Sequence, residues 1–227
     1  MKFKLLFLFI FLLCEKNIFC QYDDAQLWQN IYVERNITQK LLFRVNEEGR
    51  ITENVTRPSY IYADMGFEYK QSKHFHIQAA YVPIAKRQVN NYISWRHQFY
   101  IAFTLKKKIG RFVFYDRQMF QDQYNDINRT SDWNIPSYYL RNKVTIKYNI
   151  KKKPFIPYVA EEYYFQYSNT QLNGKESDRM RFYLGCFYEK DLLNEFELYY
   201  LIEPHYNVTP AFTNWIIGVG YARKLYW

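Results

Sequence analysis

The stretch "MRFYLGCFYEKDLLNEFELYYLIEP", Met180 to Pro204, carries an apolar or aromatic residue at every second position on both sides of a short polar break. Successive side chains of a β-strand point to opposite faces, so this period of two requires a sheet with one wet and one dry face. Met180, Phe182, Leu184, Cys186 and Tyr188 share the dry face with Phe196, Leu198, Tyr200 and Ile202. Arg179, Arg181, Tyr183, Gly185, Glu197, Tyr199 and Glu203 share the wet one, and "EKDLLNE" reads as the turn of a hairpin. The dry face packs either on a protein core or on lipid, and the rest of the chain bears on that choice.

Comparable segments recur at 27–35, 39–48, 59–70, 73–82, 93–107, 111–122, 137–149, 155–167, 178–190, 195–204 and 214–227, with no helical pattern of similar quality. Many exceed the five or six residues usual for soluble strands and match the nine to eleven of a tilted membrane strand. Short polar breaks near 36–38, 71–72, 107–110, 150–154 and 190–194 alternate with longer ones at 49–58, 83–92, 123–136, 168–177 and 205–213. Short turns at one end and long loops at the other are the pattern of a bacterial outer-membrane barrel. Tyr and Phe number 24 and 19 in 227 residues, which suits the aromatic girdles of such barrels. The expected fold is therefore all-β: an antiparallel up-and-down transmembrane β-barrel of 10–12 strands. Bacterial barrels have even counts, so the eleven segments favour twelve strands, with "LWQNIYVER" the segment suspected of lying outside the barrel.

The ends of the chain fit export. Lys2 and Lys4 precede the nine-residue run "LLFLFIFLL", too short to span a bilayer as a helix, so residues 1–20 read as a cleaved signal peptide and 21–227 as one barrel domain. Acylation at Cys20 or Cys14 is the rival reading of this leader. Only Cys186 remains after cleavage, so no internal disulfide framework is expected. Removing the leader lowers the formal charge from +9 to +7; with no arginine-rich or nucleic-acid motif, no nucleic-acid partner is expected. The last segment, "NWIIGVGYARKLYW", puts Trp215, Ile217, Val219, Tyr221, Leu225 and Trp227 on one parity, which resembles the terminal strand signal read by barrel-insertion machinery.

With lipid outside, the polar parity lines the lumen. That parity assigns Lys40, Arg44, Asp64, Glu68, Arg96, Arg141, Lys143, Glu162, Arg179, Arg181, Glu197 and Glu203 to a mixed-charge interior, either an open pore or a paired network that fills it. Segment 111–122 stays ambiguous, because Asp116 and Arg117 fall on opposite faces. Glu161 falls on the lipid parity, where a charge at mid-depth is unfavourable, so an interface position or a bulge is expected there.

A search for chemistry yields little. Ser72 and His74 could share a strand face, as a lipid hydrolase would need, whereas Ser94 and His97 fall on opposite faces. "HFH" places His74 and His76 together, but two imidazoles fall short of the four ligands of a structural zinc site. No catalytic residue, metal or cofactor is assigned. The sequons at Asn36, Asn54, Asn128 and Asn207 are the chance product of an Asn-rich chain.

In order and spacing, "QLWQNIYVE", "LLFRVNEEGR", "GFEYK", "YLRNKVTIKY", "PYVAEEYYFQ", "RFYLGCFYE" and "FELYYLIEP" make the chain resemble the bacterial outer-membrane proteins classed as domain of unknown function 2490. "GRFVFYDRQMFQ" departs from the arginine-alternating strand expected at that point. The resemblance implies an outer-membrane β-barrel and brings no catalytic residues. The expected function is a non-enzymatic small channel or a structural or interaction barrel in contact with outer-membrane lipid. A lipid-modifying enzyme of the same membrane and a secreted lipocalin-like binding barrel are the alternatives.

Overall fold

The computed structural model describes residues 22–126, 136–168, 176–208 and 210–225. The leader at 1–20, the sequon at Asn128 and the terminal Trp227 lie outside the described residues. Eleven strands follow one another: β1 (Tyr22–Asn36), β2 (Leu41–Thr52), β3 (Arg57–Lys70), β4 (Phe75–Arg87), β5 (Ile93–Ile109), β6 (Phe112–Tyr124), β7 (Ser137–Tyr148), β8 (Phe155–Ser168), β9 (Glu176–Glu189), β10 (Asn194–His205) and β11 (Phe212–Leu225). Each pairs antiparallel with its neighbour in sequence, and β1 pairs with β11 to close the barrel. Among the described residues no helix is long and apolar enough to cross a membrane, which says nothing of strands.

The count corrects the preference for twelve. "LWQNIYVER" lies within β1, a full member of the wall. In an up-and-down barrel the strand direction alternates, so an odd count leaves the first and last strands running the same way. The closing ladder is accordingly parallel, from Tyr22 opposite Phe212 to Arg35 opposite Leu225. Its slanted bonds leave no free sheet edge.

Strands of 12 to 17 residues exceed the expected spans at several ends. The sequence predicts a long break at 49–58. Instead β2 runs on to Thr52, and Glu53–Thr56 make a tight turn in which Glu53, Asn54 and Val55 all have positive φ. This turn is anchored by Asp24, whose carboxylate accepts the backbone N–H of Asn54 at 2.7 Å. At the opposite end Asp191 closes the β9–β10 turn. Hydrogen bonds from the Asn194 amide and the Leu193 backbone hold its carboxyl below the usual carboxylate range.

The alternation holds around the wall. Phe67, Phe99, Ile101, Leu184, Leu198 and Ile217 are exposed on the outer face, Leu184 to 63%. Trp28 and Glu162 point inward and are only 2% and 1% exposed. The interior is less uniformly polar than its parity suggests. Val82, Ile84, Tyr100, Ala102 and Met119 form one internal apolar cluster, and Trp28, Tyr158, Ala160, Tyr199, Leu201 and Ile216 form another. Two inward glycines make room for rings: a Cβ at Gly218 would run into the ring of Tyr199, and one at Gly185 into that of Tyr158. The outer face has its own exception. Asp116, Gln118, Asn142 and Glu161 sit on it, and Asp116 Oδ1 accepts from Asn142 Nδ2 at 2.7 Å. Glu161 stands opposite Val144 and Phe182 near the middle of β8, with no register shift beside it, so neither an interface position nor a bulge accounts for it.

Candidate functional site

Every strand contributes a side chain to a chamber of about 1160 Å³ inside the barrel. Its walls carry both signs of charge, and most of these charges meet in three networks.

The largest centres on Glu162 of β8. Its Oε1 accepts from Arg141 Nη2 at 2.8 Å and from Arg117 Nη2 at 3.0 Å, and Arg181 Nη1 lies 3.7 Å from Oε2. Arg181 also pairs with Glu203, whose other oxygen accepts from Asn214 Nδ2 at 2.9 Å and meets His205 Nε2 at 2.9 Å. The network thus spans β6 to β11. Its guanidinium planes stack on rings: Arg141 lies 4.4 Å over Tyr164, and Arg181 lies 5.1 Å over Trp28 on β1. Such charge-assisted bonds in a poorly solvated interior tolerate no missing partner, since the cost of burying each charge is offset only by the others.

A second network joins β2 to β5. Tyr100 donates to Asp64 Oδ2 at 2.6 Å and accepts from Arg44 Nη2 at 2.8 Å and from the Gln78 amide. Arg44 reaches Glu68 at 3.7 Å, and His76 Nδ1 meets the other Glu68 oxygen at 2.8 Å. A third holds Arg50, which pairs with Glu48 and lies 3.7 Å over the Trp28 ring; Tyr62 donates to Glu48 at 2.9 Å.

Of the residues that parity assigned to the lumen, Arg44, Asp64, Arg96, Arg141, Lys143, Glu162, Arg179, Arg181, Glu197 and Glu203 line the chamber. Glu68 lies just beyond it, bound to Arg44 and His76. Lys40 does not belong: it is exposed in the β1–β2 turn, because β2 begins one residue later and strand parity does not extend to it. Arg50, Arg117, Glu48 and Lys86 also line the chamber without having been singled out. Arg50 and Lys86 sit where strands outrun the expected breaks, and Arg117 sits in the segment with charges on both faces.

The hydroxyl–imidazole pairs do not assemble. The Ser72 hydroxyl accepts the backbone N–H groups of His74 and Phe75 in the β3–β4 turn, each at 3.1 Å. Ser94 is buried inside, whereas His97 meets the Tyr81 hydroxyl on the outer face. His74 and His76 turn to different partners, the Lys106 carbonyl and Glu68. Among the described residues no group of three or more His, Cys, Asp or Glu could hold a metal ion.

A family model described as a protein of unknown function (DUF2490) matches residues 25–215, from β1 into β11. The chain belongs to this family. No curated protein matches it. The DUF2490 match covers both the paired networks and two chamber cations that stand apart from them, Lys86 and Arg96. Among the described residues neither forms a hydrogen bond or an ion pair, and the Arg96 Nε is buried without an acceptor.

Proposed function

We propose that this chain is exported behind its leader and inserted into a bacterial outer membrane as a non-enzymatic barrel whose chamber admits small polar solutes. The observation that carries this reading is the inversion of the usual burial order. Most of the large aliphatic and aromatic side chains face outward around the wall, while the interior, two apolar clusters apart, buries Glu162, Arg181, Glu203 and Gln121. A water-soluble barrel would need the opposite arrangement, whereas a wall in lipid must be apolar outside and can be polar within. Strands of at least 12 residues supply more than the nine to eleven needed to cross.

The same reading gives the barrel a direction. Short turns of outer-membrane barrels face the periplasm. The end of β11 at Leu225 lies among the short turns, in keeping with delivery by insertion machinery that reads the aromatic parity of this strand. Because the count is odd, the start of β1 opens among the long loops on the other side. An epitope placed ahead of Tyr22 and one placed after Leu225 are expected on opposite sides of the membrane; both on one side would point to an even barrel.

A second reading, a sealed structural barrel, is favoured by the stack of Arg181 on Trp28, which bridges the chamber's walls. Two experiments test the pair. Outer-membrane recovery with heat-modifiable gel migration is expected, and a freely soluble protein would overturn the membrane placement. Conductance in a planar bilayer is expected for a solute path; a silent, fully inserted barrel would favour the sealed form.

A further inference from the structure

The geometry points to a binding site for a phosphoryl group at Lys86 and Arg96, on the chamber wall toward the long-loop end. This site deepens the solute-chamber reading and rests on it for its route of access.

Lys86 is the penultimate residue of β4, and Arg96 lies one turn of the pleat inside the start of β5. The register sets Lys86 opposite Ser94 and Ile84 opposite Arg96, so the two cations are diagonal neighbours on the inner face. Such neighbours stand roughly 7–8 Å apart at the backbone, a span that two long side chains can close on one anion. Both line the chamber together with Gln98, Arg179 and Arg50.

The cations of the three networks come with carboxylate partners; even Arg44, whose Nε is likewise unpaired, has carboxylates at its other nitrogens. Arg117, Arg141 and Arg181 share Glu162, Arg50 has Glu48, and Arg44 has Asp64 and Glu68. Lys143 has no carboxylate, but its ammonium sits 3.8 Å over the Tyr183 ring. Lys86 and Arg96 have no such compensation among the described residues, and the Arg96 Nε is withdrawn from solvent with nothing to donate to. Buried donors of this kind are ordinarily satisfied, so an unpaired guanidinium nitrogen beside a second cation without a carboxylate suits an anion that enters the chamber. Two basic side chains with no carboxylate of their own suit a ligand group that carries more than one negative charge. A phosphoryl group carries about −1.5 to −2 and three strong acceptor oxygens, whereas a carboxylate carries one charge. Gln98 adds an uncharged amide to the same wall.

The test is calorimetric titration of the full barrel in detergent micelles with inorganic phosphate. Saturable binding is expected for the natural chain. The double variant Lys86→Gln with Arg96→Gln should bind roughly tenfold or more weakly, as befits two lost charge-assisted contacts. Lys151→Gln, in an exposed turn on the far end, should bind like the natural chain. Heat-modifiable migration establishes that the double variant is folded; should it fail to fold, the single variant Arg96→Gln is expected to bind several-fold more weakly, and unchanged binding by it would overturn the proposal. A parallel titration in micelles doped with phosphatidylglycerol separates the sources of the group. Competition assigns the site to a lipid headgroup's phosphate, and its absence assigns it to a free phosphorylated solute. No saturable phosphate binding by the natural chain, or equal binding by the double variant, would overturn the proposal. Because binding is read without a membrane, a barrel that binds phosphate but is silent in a bilayer refutes only the channel. One that conducts but ignores phosphate refutes only the site.

Discussion

Two walls of the same barrel treat charge in opposite ways. Along β6 to β9 a single carboxylate, Glu162, is surrounded by three guanidinium groups, and every member of the set has a partner. On the β4–β5 wall, Lys86 and Arg96 face the same chamber with no partner among the described residues, next to the apolar cluster of Val82, Ile84 and Ala102. The first arrangement binds strands to one another, and each charge there is held in place by several others. The second contributes nothing to cohesion, since like charges repel at short range. Half-buried charges that join no network are, on the reading proposed above, addressed to something that enters the chamber.

Removing Glu162 is the harshest way to test the contrast. Glu162→Ala leaves Arg117, Arg141 and Arg181 facing one another, and breaking a buried charge set by deleting one partner costs about 3–5 kcal/mol. Urea unfolding in detergent should show a large loss of stability. A change of a few tenths would mean that the network holds nothing together.

The outer face offers a smaller test of opposite sign. Glu161 is exposed among Val144 and Phe182, where an apolar side chain would suit lipid better. Glu161→Leu should stabilise the barrel in reconstituted vesicles by about 1–2 kcal/mol, below the figure for a basic residue at mid-depth. Destabilisation would show that the carboxylate has a polar partner on that face.

The smallest effect belongs to the unpaired wall. Lys86→Gln should leave stability unchanged or raise it slightly, by no more than about 1 kcal/mol, because no favourable contact is lost and repulsion between like charges is relieved. A loss comparable to that of Glu162→Ala would erase the distinction between the two walls.

These walls differ in how far they can be read from sequence. The period of two places Arg141, Glu162, Arg181 and Glu203 on the inner face, since in each of their strands one parity is apolar, Glu161 in β8 excepted. The same rule was silent on β6, where Asp116 and Arg117 put charge on both faces. Only the neighbouring strands decide it: Arg117 finds Glu162 inside, and Asp116 finds Asn142 outside. Arg50 and Lys86 were passed over because turn-forming residues nearby made their segments look like loops, while the wall in fact extends through them. Lys40 shows the converse error, a parity carried one step past the start of a strand. The parallel closure is a matter of counting rather than of any local pattern, and no residue in β1 or β11 announces it. Pairing is equally hidden, because nothing in the alternation tells a charge with a partner across the lumen from one without.

The central claim is that the apolar wall lies in lipid and the polar chamber does not. Fluorescence of single-tryptophan variants in vesicles containing brominated lipid tests it directly. Trp95 and Trp215 are 52% and 38% exposed on the outer face, whereas Trp28 is 2% exposed inside against Arg50. The account predicts strong quenching of Trp95 and Trp215 by the bromines and none of Trp28. Quenching of Trp28 alone, or of none of the three with the protein remaining in the aqueous phase, would contradict it.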